Sequence, residues 1–274
     1  MKFCLNAGHG KMNNGTTDSG AVASDGFTEA TETIEIVNIL ALYIKSSGHE
    51  VLIIQDGDLE DVTNQANGWE ADYFISVHCN SASDSAVRGI ETFALSSGGQ
   101  GDKLAHAIQN NLISITNLTD RGVKYSNFWV LRKTDMSAIL TEIGFISNQN
   151  EENLMKDTNW DIKVAKAIYK GICEVTGIKY VENQSNQLQG GIKRVKNLVI
   201  YLYPEDEGCA MNLARHLQCP CAFYPKQFTN DLFDLVENII QVGGSSVNPK
   251  VKLITGNEFD DTMVSYLRFI GKIK

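Results

Sequence analysis

Apolar residues in the first half of this chain fall into short β-rich runs, and between the runs their spacing changes to the helical period. The runs at Lys2–Asn6, His49–Gln55, Tyr73–His78, Gly89–Leu95, Phe128–Arg132 and Ile139–Ile143 predict strands. Ala30, Ile34, Val37, Ala41 and Ile44 form one helical stripe, with Thr28 as its predicted N-cap, and Ala165, Ile168, Ile172 and Val175 form another. Alternation of this kind predicts an α/β domain: a mostly parallel central sheet flanked by helices. The last third repeats it on a smaller scale, with strands predicted near Leu198–Tyr203, Ala222–Tyr224, Ile239–Val242 and Val251–Thr255 and helices at Gly208–Leu217 and Asp261–Ile270. Between the two lies Asn183–Gly191, polar, ending in glycine and without periodicity. All four prolines fall beyond it. The expected division is a catalytic domain at 1–177, a linker at 178–194 and a small α/β domain at 195–274.

Composition narrows the possible partners. A chain with 43% hydrophobic and 21% charged residues is expected to fold. Its net charge of −9 is uneven: residues 1–192 carry 14 basic against 24 acidic side chains, residues 193–274 carry 10 against 9. An acidic surface excludes phosphate-backbone binding, so no nucleic-acid partner is expected. No segment is long and apolar enough to predict a membrane span, and the opening Met1–Gly8 is too short an apolar run for a signal peptide. The six cysteines, Cys4, Cys79, Cys173, Cys209, Cys219 and Cys221, are expected to be reduced and mostly buried. A metal site from Cys209, His216, Cys219 and Cys221 is disfavoured, because their separations match no common zinc spacing.

The candidate chemistry lies in four segments: Asn6-Ala7-Gly8-His9-Gly10, Phe27-Thr28-Glu29-Ala30, Ile75-Ser76-Val77-His78-Cys79-Asn80 and Leu140-Thr141-Glu142-Ile143-Gly144-Phe145. His9 sits between glycines after an apolar strand, where backbone and ligand can approach closely. His78 follows the apolar Tyr73–Val77 run, at the carboxyl edge where α/β active sites form. Glu142 lies inside an apolar run, where a carboxylate costs several kcal/mol unless paired, protonated or near a metal. Two imidazoles and a carboxylate leave a fourth position open on zinc, and a further carboxylate can act as general base. The expected chemistry is hydrolysis of an amide.

These segments, together with Asp18-Ser19-Gly20-Ala21, Arg121-Gly122-Val123-Lys124, Val130-Leu131-Arg132 and Ala138–Asn148, resemble the zinc-dependent N-acetylmuramoyl-L-alanine amidases of bacteria and their phages, amidase type 3. The family's order is kept over nearly all of residues 1–176, with Met136-Ser137 where a proline is usual and Cys79 where alanine is commoner. The resemblance implies that His9, Glu29 and His78 bind Zn2+ and that Glu142 is the catalytic carboxylate. The implied reaction is attack of zinc-activated water on the lactyl carbonyl of muramic acid, releasing the alanine amine of the stem peptide.

Residues Ile239–Gly244, Val251–Gly256 and Phe259–Thr262 resemble, with drift at Glu258–Asp261, the type 2 cell-wall-binding repeat of clostridial surface proteins and phage endolysins. The expected protein is therefore an endolysin with peptidoglycan and a wall polymer as partners, made in the host cytoplasm and reaching the wall after membrane permeabilisation. Self-association, or pairing with a free copy of the C-terminal domain, is expected from related endolysins. Two alternatives remain: a zinc carboxypeptidase, for which Arg132 is the candidate carboxylate anchor, and a non-catalytic wall-binding protein.

Overall fold

In a computed structural model of the protein, residues 1–180 are described, and beyond them residues 195–201, 210, 213, 221–223, 236–242 and 251–254. The chain divides into two compact units, Met1–Tyr180 and Val181–Lys274. The first opens with β1 (Lys2–Ala7) and a short antiparallel pair, β2 (Gly10–Lys11) and β3 (Thr17–Asp18). Then follow α1 (Glu29–Ser46), β4 (Glu50–Ile54), α2 (Leu59–Gly68), β5 (Tyr73–Asn80), β6 (Ile90–Ala94) and α3 (Gln100–Thr116). β7 (Asp120–Tyr125), α4 (Trp129–Arg132), β8 (Ser137–Phe145), α5 (Gln149–Met155) and α6 (Thr158–Thr176) complete the unit.

Its sheet has six strands in the order β4-β1-β5-β8-β6-β7. β4, β1, β5 and β8 are parallel, while β6 runs antiparallel to β8 and β7 follows β6. This reversal matters for the site. The carboxyl ends of β1, β5 and β8 share one edge of the sheet, and the starts of β6 and β7 come to that same edge. The mixed α/β architecture with a mostly parallel sheet agrees with the sequence pattern.

Side chains alternate between the two faces of the sheet. Phe3, Leu5, Ile75 and Ile139 are completely buried on the face covered by α1 and α3, against which α6 packs. Fully burying each such side chain contributes about 1.5–3 kcal/mol. On the opposite face Cys4, Phe74, Ala138 and Leu140 pack with Val62 and Ala66 of α2 and Val130 and Leu131 of α4. Two residues beyond Leu140, and four beyond Phe74, the same face presents Glu142 and His78. Helix α1 starts where predicted: Thr28 is extended, and its hydroxyl accepts the Thr31 N–H at 3.3 Å.

The predicted strand at Phe128–Arg132 is instead the single turn α4. Adjacent residues of a strand point to opposite faces, whereas one helical turn sinks both Val130 and Leu131 into the α2-side cluster. The Thr134 hydroxyl closes that turn on the Val130 carbonyl at 2.7 Å. Conversely, Asp120–Tyr125 is a strand that the pattern did not announce. Its residues are mostly polar and none is fully buried because β7 is the sheet's outer edge.

The second unit contains four parallel strands, β9 (Val195–Tyr201), β10 (Cys221–Phe223), β11 (Val236–Val242) and β12 (Val251–Ile254), in the order β10-β9-β11-β12. They fall on the four predicted runs. Ala210 and Leu213, within the predicted helix at Gly208–Leu217, are helical and buried. The helix predicted at Asp261–Ile270, linker residues 181–194, and Cys209, His216 and Cys219 lie outside the described residues. No helix among the described residues is long and apolar enough to cross a membrane. Cys4, Cys79 and Cys173 are buried free thiols.

Candidate metal centre and hydrolytic cleft

His9 follows directly from the end of β1, where the Gly8 N–H donates to the Val77 carbonyl at 2.9 Å and ties the turn to β5. A Cβ on Gly8 would lie 2.5 Å from the His78 ring, so only glycine lets the two histidines meet. His9 itself has φ +63°, a left-handed conformation that costs a non-glycine residue about 1–2 kcal/mol. Gly20 is constrained twice: its φ is +64°, and a Cβ there would stand 2.5 Å from both the His9 ring and Glu29 Oε2.

The His9 ring is held from behind. Its Nδ1 contacts Asp18 Oδ2 at 2.7 Å, which turns Nε2 toward Glu29 Oε2 at 3.2 Å. Asp18 is fixed in turn by the Gly20 N–H on Oδ1 at 3.0 Å. Glu29, the first residue of α1, is 3% exposed. Its Oε1 contacts His78 Nδ1 at 2.8 Å and accepts the Cys79 N–H at 3.0 Å, and its Oε2 accepts the Ala21 N–H at 2.9 Å. One ligating atom from each of His9, Glu29 and His78 lies within 4.8 Å of the others.

The electrostatics follow from this crowding. The hydrogen bond that His9 donates to Glu29, with the one to Asp18, outweighs burial and raises His9 to about 9. For Glu29, burial favours the neutral acid, but hydrogen bonds from His78 and His9 prevail and hold it well below the usual carboxylate range.

Glu142 stands opposite His78 in the β5–β8 register and opposite Glu91 in the β6–β8 register. In-register residues share a face, so His78, Glu142 and Glu91 form a row along the sheet edge. Glu142 Oε2 is buried and has no hydrogen-bond partner. Burial, followed by the charges of Glu29 and Glu91, pushes its carboxyl up to about 8. A largely buried acid with one oxygen unpartnered, beside two imidazoles and a carboxylate, is equipped to exchange a proton with something brought to it.

A cleft of about 390 Å³ opens beside this group on the α2 side of the sheet. His9, His78 and Asp18 form one end of its lining, and Met12, Leu59, Phe128 and Trp129 supply apolar walls. Arg132 is exposed and lies 5.4 Å from the Trp129 ring centre.

The structure thus brings together all four residues selected from the sequence. It adds three to which the sequence pattern assigns no role. Asp18 belongs to a recognisable motif, but nothing in its spacing says that it reaches back nine residues to His9. Glu91 is visible only as one polar position in a predicted strand. Trp129 is hidden in a run whose pattern predicts a strand.

The profile of the family described as N-acetylmuramoyl-L-alanine amidase matches residues 3–174. The sporulation-specific N-acetylmuramoyl-L-alanine amidase of Bacillus subtilis (strain 168) is 29% identical over 204 residues, covering 72% of this chain and 76% of that protein. The endolysin of Bacillus phage SPP1 is 36% identical over 185 residues, 64% of this chain and 66% of that one. Among solved structures, the catalytic domain of the amidase CwlV from Bacillus (Paenibacillus) polymyxa var. colistinus superposes with a TM-score of 0.59 at 32% identity. That match covers 65% of this chain and 99% of CwlV's.

Proposed function

The chain belongs to the N-acetylmuramoyl-L-alanine amidase family, and from that premise we propose that it cleaves the amide between muramic acid and the L-alanine of the stem peptide, using zinc held by His9, Glu29 and His78 and Glu142 as the acid–base residue. The observation that carries the reading is the pairing of a three-donor cluster with an adjacent buried carboxylate that has one oxygen unsatisfied.

The donor set fits the ion. Two imidazoles and one carboxylate are a hydrolytic zinc set, and a tetrahedral ion about 2.0–2.1 Å from its donors spaces them roughly 3.3 Å apart. Glu29 meets His9 through Oε2 at 3.2 Å and His78 through Oε1 at 2.8 Å, and one ligating atom from each of the three residues lies within 4.8 Å of the others, a span one ion can bridge. Crowding at Gly8 and Gly20 keeps the donors at this distance. When bound, zinc supplies Lewis acidity toward water and the scissile carbonyl.

The protein's residues do the rest. Asp18 fixes the His9 ring so that Nε2 faces the cluster. Glu142 takes a proton from the attacking water and returns it to the alanine nitrogen as the carbon–nitrogen bond breaks, leaving a lactyl carboxylate and a free amine. Its raised pKa belongs to a site without added positive charge. A dication beside it favours the carboxylate needed for the first step. The apolar walls of the cleft exclude water and receive the uncharged parts of the substrate.

The wider reading is an endolysin, with 178–194 as linker and 195–274 as a wall-binding module. It is supported by the likeness to the phage SPP1 endolysin and by the C-terminal resemblance to wall-binding repeats. Purified clostridial walls treated with metal-analysed wild type or Glu142→Ala test the reaction. Wild type is expected to expose new N-terminal alanine and the zinc-loaded variant to expose almost none. Release of other amino acids, or equal activity of the variant, would overturn the assignment. Sedimentation of the full chain with the walls tests the binding module.

A further inference from the structure

The row that begins at His78 and Glu142 does not end there. Beyond Glu91, β7 contributes Arg121 and Lys124, and both give their charge to one oxygen of Glu91, Arg121 through Nε at 2.6 Å. Asn80 Nδ2 donates to the other oxygen at 2.9 Å. One carboxylate therefore receives two cations, and a positive charge is left over. It faces outward: the side chains of Arg121 and Lys124 are 31% and 41% exposed, that of Glu91 only 6%.

Among the described residues no acid other than Glu91 makes an ion pair with either cation, although Glu151 feels the charge of Arg121. Asp120 accepts from Gln109 and from the Gly122 N–H, and Glu151 accepts the N–H groups of Gly89 and Phe145. Arg121 leans on the Phe145 ring, 4.9 Å from its centre, and spends Nη1 on the Arg88 carbonyl at 3.3 Å. Among the described residues no hydrogen bond engages its Nη2. A pre-oriented guanidinium beside an ammonium is well suited to an incoming carboxylate. Residues 1–192 hold 24 acidic and 14 basic side chains, so this pair runs against the prevailing charge, at the edge that carries the candidate centre.

We propose that Arg121 and Lys124 form a subsite for a carboxylate of the stem peptide, on the side of the scissile bond that leaves as the amine. The proposal rests on the amidase reading of the site. Strands about 4.8 Å apart place β7 roughly 10 Å from Glu142. An extended peptide advances about 3.3–3.6 Å per residue. Counting from the alanine whose nitrogen departs, a carboxylate on the second residue reaches the pair. The apolar cleft, on the opposite side of Glu142, is left for the sugar side.

Equilibrium binding tests this without turnover. The zinc-loaded full chain is titrated calorimetrically with the peptide L-Ala-γ-D-Glu-L-Lys and with the same peptide carrying the glutamate α-carboxyl as an amide. The acid is expected to bind about tenfold more tightly, the ratio that one charge-assisted hydrogen bond carries. Lys124→Gln, at the more exposed position, and Arg121→Gln should each abolish that preference while leaving affinity for the amide unchanged. Equal binding of the two peptides by wild type, or equal weakening of both by Lys124→Gln with the fold retained by circular dichroism, would overturn the subsite. The amidase reading fails separately, if wild type frees no alanine amines from walls.

Discussion

Glu142 and Glu91 stand opposite each other on β8 and β6, on the same face of the same sheet, and the protein treats them in opposite ways. Both are in largely buried surroundings, which alone favour the neutral acid. Around Glu91 the chain supplies Lys124, Arg121 and Asn80, and the two cations overcome burial to hold its carboxyl below the ordinary value. Around Glu142 it supplies burial and two further negative charges, which outweigh the opposing charge of His9, and the carboxyl rises to about 8 with one oxygen unpaired. A buried acid whose partners the chain provides serves the fold. One left without them is reserved for a charge or proton that arrives from outside.

The largest expected effect removes the acid left wanting. Glu142→Gln should lower amide hydrolysis by roughly 10²–10⁴-fold, the usual range for a positioned acid–base group. It should leave the thermal midpoint unchanged or higher, because no satisfied interaction is lost. A large loss of stability would mean that Glu142 serves the fold just as Glu91 does. Next in size is Asp18→Asn, which should weaken zinc affinity by about 10–100-fold in competition with a chromogenic chelator. Unchanged affinity would show that the His9 ring needs no support from behind.

How much of this contrast is legible in the sequence depends on the kind of signal each residue leaves. His78 and Glu142 end or interrupt apolar runs, where a polar residue needs a reason, and His9 lies between glycines. Those features are local, and all three stand out without any knowledge of the fold. The central strands are legible for the same cause: a strand buried on both faces is a run of apolar residues. Edge strand β7 has no such run, so Arg121 and Lys124 are visible as a motif without an address. With Glu91 they come to the edge that holds Glu142 only because β6 and β7 both run against β8. That reversal is a matter of topology, which spacing along the chain does not record. Trp129 is lost for a different reason: four consecutive apolar residues, Phe128 to Leu131, fit a strand or a helical turn equally well, and only packing against α2 decides.

The charge imbalance around Glu142 also predicts how the metal-free protein responds to pH. Glu142 keeps a proton in the folded state up to about pH 8 that the unfolded chain releases near 4.5, so stability falls as pH rises between those values. His9 keeps its proton up to about 9 against 6.5 unfolded, so its contribution is complete below 6.5 and is lost as pH climbs through 9. Glu29 acts in the other direction. Its contribution is present above its unfolded value and disappears only in acid. With chelator present, urea midpoints should therefore be highest near pH 4.5, decline gently to 6.5 as Glu142 alone retains a proton, and decline more steeply above 6.5 where His9 adds a second. The slope can reach at most about 1.4 kcal/mol per pH unit for each retained proton. Excess zinc should abolish the decline, because an ion then replaces the protons. A midpoint that rises from pH 6.5 to 9 without metal would contradict the charge balance assigned to the cluster.

The smallest effect is expected from the satisfied partner. Glu91→Gln leaves two cations facing a neutral amide, but both are partly in solvent, which screens the loss. A cost of about 1–2 kcal/mol in urea unfolding is expected, below that of breaking a fully buried pair. The same substitution removes one of the two negative charges that push the Glu142 carboxyl upward. The acid limb of the pH–activity profile, where the carboxylate form of Glu142 appears, should therefore move to lower pH while the stability falls. These two outcomes separate packing from electrostatics. A destabilised variant whose acid limb stays where it was would show that the two carboxylates share a row without sensing each other, and that Glu142 is held protonated by its burial and by Glu29.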